Sequence, residues 1–219
     1  STLKIRIAQL KMILKLGIPT ALQQTIGGVS WLVVTFLINS YGVSVSAGNG
    51  VSIKIKDFCQ LFVVAMANSS ATMIAQTLGA KKYDRAKEVM YTTMKITVGM
   101  SIIIILLVEL FTPQLAAIFT SDPAVSSAAV MNLKIEIIGQ LFYAIFFVYH
   151  SLAIGAGHTI FAMASSFVNC IIFRVVLAII FNHFWGLTGV YLACMIAPFS
   201  SVPLGYIYTR SNVWRRSLT

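Results

Sequence analysis

Glu136, Gln140, Tyr143, Phe147 and His150 recur at intervals of three and four in a stretch that is otherwise apolar. On a helix that spacing puts them on one face. Carboxylate, amide, phenol and imidazole together have the chemistry to accept a cation, orient a polar cargo and pass a proton. A second stripe holds Thr20, Gln24, Gly28, Trp31, Thr35 and Asn39, and Asp57, Gln60, Asn68, Thr72 and Gln76 share a broadly common face in a third. Ionisable and amide groups in apolar surroundings are costly and turn toward protein or water. Three such stripes describe a wet wall that suits amphipathic cations. The alternative is that the amides only glue helices together. Gln24, Trp31, Asn68, Glu136, Gln140 and Tyr143 are the candidate wall residues. Asp57 and Glu136 are the candidate carboxylates for proton or ion coupling, although Asp57 could instead cap a helix or pair with Lys54 or Lys56. Arg174 is the one cation deep in the apolar run 160–181, placed to pair with a carboxylate or with backbone carbonyls, the alternative being contact with substrate.

Other chemistries find no support in the sequence. It has no P-loop, no HExxH, no GxSxG and no Ser/His/Asp set outside the apolar runs, so neither an enzyme nor an ATP-driven machine is expected. Cys59, Cys170 and Cys194 lie in apolar stretches without CxxC spacing and read as inert lipid- or helix-facing thiols. His150, His158 and His183 have no ligand partner at metal-binding spacing, so no metal is expected.

The elements that must carry these residues follow from composition. Of the 219 residues 58% are hydrophobic and only 10% charged, with a mean hydropathy of +0.87. Soluble domains are about a quarter charged, which places this chain in a membrane. At about 20 residues per crossing, six helices fit. The reading is an all-α integral membrane bundle. Residues 1–16 form a basic amphipathic helix at the membrane surface, 17–209 six spans, and 210–219 a basic tail. The spans run approximately over 18–41, 56–78, 89–111, 131–154, 160–181 and 187–209. Gly17 and Pro19 open the first, and the Gly/Ser-rich run 41–50 turns the chain into the second. Pro113 stops the third, Asp122-Pro123 caps a helix, and Pro198 and Pro203 kink the last.

The net charge of +10 does not point to nucleic acid, because the basic residues border apolar runs and do not interleave with aromatics on a polar face. Placed with both termini inside, the cytoplasmic segments hold Lys4, Arg6, Lys11, Lys15, Lys81, Lys82, Arg85, Lys87, Arg210, Arg215 and Arg216, whereas the outer loops hold none, with Lys54 and Lys56 as exceptions near the outer edge. This asymmetry obeys the positive-inside rule and predicts a multi-pass protein of the inner cell membrane, both termini cytoplasmic.

One charged turn carries a resemblance. AQTLGAKKYDRAKEV (75–89) resembles the loop after the second span of each half of the multidrug and toxic compound extrusion (MATE) transporters. GIPTALQQ (17–24) looks like the opening of such a half, KIKDF (54–58) like the entry to its second span, LAIGAGHT (152–159) like its four-to-five loop and GLTGVYLA (186–193) like its entry to the sixth. The matches run in the family's order along nearly the whole chain. Family proteins have twelve spans in two bundles, and this chain resembles the second. His158 departs from the usual Asp of its loop. Gly27 and Tyr143 stand where some relatives have ion-binding carboxylates, so a cation site of that type is not expected in this half.

The resemblance implies half of a secondary-active efflux transporter for amphipathic cationic small molecules. Its partners would be the bilayer and an N-terminal six-helix half. A proton or Na⁺ gradient would drive it by rocking of the bundles, with no other cofactor. Two other readings stay open: a related flippase for lipid-linked oligosaccharide or cell-wall precursor, which asks for several cavity cations where only Arg174 and Lys134 offer, and a membrane assembly subunit that transports nothing.

Overall fold

A computed structural model describes residues 7–215, apart from the side chains of Ala8 and Gln9. The expected surface segment 1–6 and tail end 216–219 lie outside the described residues. Within them the chain is helical, with no strand. The elements are α1 (Ile7–Asn39), α2 (Val43–Gly79), α3 (Tyr83–Phe119), α4 (Pro123–Glu136), α5 (Gln140–Gly155), α6 (Thr159–Phe167), α7 (Val176–Ile196) and α8 (Ser201–Arg210). Short 3₁₀ turns, Ile137–Gly139 and Ala197–Ser200, join α4 to α5 and α7 to α8. A π-helical stretch, Val168–Val175, joins α6 to α7.

Five runs are long and apolar enough to cross a bilayer, and the last of them, Thr159–Arg210, spans 52 residues. That is more than twice the ~20 residues of one crossing. It divides at Gly186, whose φ of 56° and ψ of −139° leave helical geometry. The π-helical stretch then packs against Ala197–Ser200, and α6 against α8, as an antiparallel pair requires. Six crossings result. Large apolar side chains cover the outside, with Phe36, Phe58, Leu110 and Ile118 all at least 70% exposed. Such a surface is stable only against lipid or another apolar face.

Three element boundaries differ from the sequence reading, each for a physical reason. The Gly/Ser run 43–50 is the first part of α2 and not a turn; the reversal is confined to 40–42, where Gly42 has φ 107°. Gly48 within it, and Ser52 just beyond it, serve helix contact instead. A Cβ on Gly48 would lie 2.8 Å from the Ala129 backbone nitrogen, and Ser52 Oγ lies 3.0 Å from both the Gly48 and Ala129 carbonyl oxygens. Small and hydroxylic residues let helices approach closely in lipid. Likewise α3 passes Pro113 and ends at Phe119, bending at Phe111 (φ −111°, ψ 16°). Pro113 cannot donate to the Glu109 carbonyl, and Thr112 Oγ1 reaches that oxygen at 3.3 Å. Finally, α1 runs unbroken through Gly17 and Pro19, so the basic segment from Ile7 and the first span share one helix.

Other signals stand where they were read. The Asp122 carboxylate accepts from the Ala124 and Val125 amides at 2.8 and 3.3 Å, with Pro123 in the first turn. The helix carrying Pro198 leaves α geometry at Ala197–Ser200. Turns 80–82 and 156–158 close alike: the Lys82 amide donates to the Thr77 carbonyl and the His158 amide to the Ala153 carbonyl, both at 2.8 Å. A residue with positive φ, Lys81 or Gly157, precedes each donor. Trp214 is fully buried among Ile74, Leu78, Met90 and Leu152, and its indole donates to the Thr209 carbonyl, so the turn Val213–Arg215 docks on this side of the bundle.

Candidate functional site

The spans leave a chamber of about 750 Å³ between them. Helix α1 contributes Gln23, Gln24, Trp31 and Thr35, and α2 contributes Lys56, Asp57, Gln60 and Val64. From α4 and α5 come Glu136, Gln140, Tyr143, Phe146 and Phe147, while the π-helical stretch adds Asn169, Cys170 and Arg174. Apolar and aromatic walls with a few fixed polar groups are the usual make-up of a small-molecule site.

Two cations organise its polar side. The Lys56 ammonium pairs with the Glu136 carboxylate and also donates to Asn132 Oδ1 at 3.2 Å. Asn132 Nδ2 in turn donates to Asn49 Oδ1 at 3.0 Å, which ties α2 to α4 through a buried chain of hydrogen bonds. The Arg174 guanidinium donates to the Tyr143 hydroxyl. Trp31 serves both cations, its ring centroid lying 5.7 Å from Lys56 Nζ and 4.8 Å from Arg174 Cζ. These distances permit cation–π attraction. Tyr143 and Phe147 stack at 6.3 Å, continuing the aromatic wall along α5.

Of the candidates read from the sequence, Gln24, Trp31, Asp57, Glu136, Gln140 and Tyr143 all line this chamber. Asn68 does not; it is exposed on α2, four residues beyond the lining residue Val64. Asp57 neither caps a helix nor pairs with a lysine. It lies well inside α2, exposed, and the neighbouring lysine is engaged by Glu136. Arg174 is met by a phenol and an indole face, not by a carboxylate or a backbone carbonyl. Several stripe residues bond locally: Thr20 and Thr72 donate to carbonyls four residues back in their own helices, whereas Asn39 accepts from Ser46 and so ties α1 to α2. His150 is buried off the chamber, its Nδ1 3.0 Å from Gln23 Nε2.

Lys56, Gln23, Asn169, Cys170 and Cys194 were missed as chamber residues. A signal existed for Lys56, which stands four residues before Gln60 on one helical face. Nothing in the spacing announces Asn169. It and Arg174 are five residues apart, about 140° around an α-helix, and only a π-helical turn stacks such positions. Cys170 and Cys194 face the chamber, against the reading of lipid- or helix-facing thiols. Among the described residues no three His, Cys, Asp or Glu gather into a metal-binding group.

An all-helical bundle with an apolar outer face and, between its spans, an apolar and aromatic chamber set with a few polar groups defines a multi-pass membrane protein. A family model, MatE, matches residues 19–180, and the chain belongs to that family. It is 28% identical over 194 residues to the multidrug export protein MepA of Staphylococcus aureus, covering 86% of this chain and 41% of the relative. A transporter of Bacillus subtilis, YisQ, is 26% identical over 210 residues, covering 94% of this chain and 46% of its own. In structure it resembles the Vibrio cholerae MATE transporter VcmN, with a TM-score of 0.89 at 24% identity, over 97% of this chain and 50% of that one. A MOP superfamily transporter from Pyrococcus furiosus gives a TM-score of 0.91 at 18% identity, again matching half of its chain. The chain thus spans about half the length of these relatives.

Proposed function

We propose that this chain is the second six-helix half of a secondary-active exporter of amphipathic organic cations. The observation that carries the reading is the chamber of about 750 Å³ within a bundle that belongs to the MatE family and spans half the length of a multidrug export protein. A second bundle would close the open side, and rocking of the two would expose the chamber to alternate faces of the membrane. Trp31, Tyr143 and Phe147 offer aromatic faces to a cationic cargo, and Gln24 and Gln140 offer amides. Asn68 continues the α2 face beyond the chamber and would meet cargo only on the side shared with the other bundle. Asp57 and Glu136 are the carboxylates through which a proton or Na⁺ gradient would act. Charge asymmetry supports an inner-membrane protein with both termini cytoplasmic.

Efflux of a cationic dye from drug-susceptible cells is the test. Cells expressing the full twelve-span protein should retain less dye, and dissipating the proton or Na⁺ gradient should abolish the difference. Residues 1–219 expressed alone should give none, because a single bundle forms one wall. Unchanged retention with the full protein at normal membrane levels removes the exporter reading. Resistance conferred by the half alone removes the two-bundle mechanism.

A further inference from the structure

The two cations of the chamber differ in one respect: among the described residues, Lys56 makes an ion pair with a carboxylate and Arg174 makes none. Arg174 is 3% exposed, and its partners, the Tyr143 hydroxyl and the Trp31 ring, carry no formal charge. Its Nε has no hydrogen-bond partner among the described residues. A guanidinium enclosed in a membrane bundle without a carboxylate of its own is costly, and a residue held in that state calls for an anion. Glu136 is near enough to act on the guanidinium electrostatically, but the two share no hydrogen bond and its single charge is already paired with Lys56, so one positive charge is left over between them.

The surroundings supply further free donors. Gln140 Nε2 and Asn169 Nδ2 are buried and unpartnered, and both residues line the same chamber as Arg174. Asn169 is fully buried and neither end of its amide is bonded, so it is free to present its NH₂ group. The π-helical turn brings Asn169 and Arg174 to one side of their segment. Three donors at least nine-tenths buried, one of them cationic, suit a group with a negative charge and several lone pairs. Beside them stand Trp31, Phe146 and Phe147, a wall for a flat apolar body. The exposed carboxylate of Asp57 lines the chamber too and leaves room for a cationic end of the same cargo.

We infer that the chamber contains a receptor for an organic oxyanion, a carboxylate or sulfonate on an aromatic frame, formed by Arg174 with Asn169 and Gln140. This goes beyond the export of cations proposed above, and its test reads binding, not efflux, so either can fail without the other.

The probe is tritiated 1-naphthoate, with its neutral amide as comparator, binding to the full-length protein in phosphatidylcholine nanodiscs. Naphthoate should bind more tightly than naphthamide, and Arg174→Gln should weaken naphthoate by about 10- to 100-fold, the range for a hydrogen bond to a charged group, while weakening naphthamide several-fold less. Equal affinities for acid and amide, or the same naphthoate affinity in Arg174→Gln, overturn the assignment. Tyr143→Phe gives a second reading if Arg174→Gln does not fold. Freed from the phenol, the guanidinium should hold naphthoate about threefold more tightly or better, and no gain counts against the receptor. A parallel set of nanodiscs containing phosphatidylglycerol separates the sources of the anion. Arg174-dependent displacement of naphthoate there makes a lipid phosphate the occupant of the same receptor; no displacement makes it a soluble acid.

Discussion

Lys56→Met is expected to destabilise the protein by roughly 3–5 kcal/mol, and adding Glu136→Gln should recover most of the loss. The Glu136 side chain is 4% exposed and that of Lys56 14%, so the carboxylate above all has little water to fall back on when its partner goes. Methionine keeps the length of the lysine stem but removes the ammonium. The carboxylate is then buried without a cation, and its second oxygen already lacks a partner among the described residues. Asn132 loses a donor in the same step, which loosens the bonded chain that joins α2 to α4 through Asn49. The double variant behaves differently because it removes both charges: a buried pair replaced by neutral groups of similar volume is often no less stable. Thermal unfolding of the four proteins in one detergent closes the cycle and isolates the coupling between the two residues. If Lys56→Met melts with the parent, the ion pair contributes nothing and Glu136 is better solvated than its burial indicates.

That pair also shows where the sequence stopped being readable. Helical spacing was enough to place Gln24, Trp31, Glu136, Gln140 and Tyr143 on inward faces, because burying amides and carboxylates away from lipid is a local requirement of each helix. The partner of Glu136 was not legible. Spacing says which face a residue occupies, not how far two helices slide along each other, and that sliding set Lys56 and not Asp57 against the carboxylate. The same limit applies to Arg174, for which a carboxylate or a carbonyl was expected and a phenol with an indole face was found. Asn169 lay beyond reach for another reason: its place depends on a π-helical turn, a departure from the 3.6-residue period on which the stripes were read. Boundaries failed where composition was asked to do the work of context. Glycine and serine at 46–50 would favour a turn in water, yet in the bilayer they continue α2, and Gly48 lets it press on α4.

The second large effect concerns the reversal between spans five and six. Gly189→Ala is expected to cost at or above the upper end of the roughly 1–3 kcal/mol typical of overpacking. A Cβ at Gly189 would lie 2.1 Å from the Phe181 carbonyl oxygen and 2.5 Å from its carbon. These are backbone atoms, which cannot swing aside as a side-chain tip does, so relief requires the two limbs of the hairpin to part. The turn is also pinned: Gly186 takes a positive φ, and the Tyr41 hydroxyl donates to Asn182 Oδ1 at 2.5 Å. Separation propagates to the chamber, since one limb carries Asn169 and Arg174 and the other Cys194. Gly99→Ala is the control. Nothing lies within 4 Å of its Cβ position, and alanine in a helix interior is favoured over glycine by about 0.5–1 kcal/mol, so it should melt at or slightly above the parent temperature. Both substitutions add one methyl group to a glycine in an apolar segment, and they differ only in what that methyl meets. Equal melting temperatures for the two would mean that residues 181 and 189 are not in contact, and with that the antiparallel pairing of the last two spans would fall.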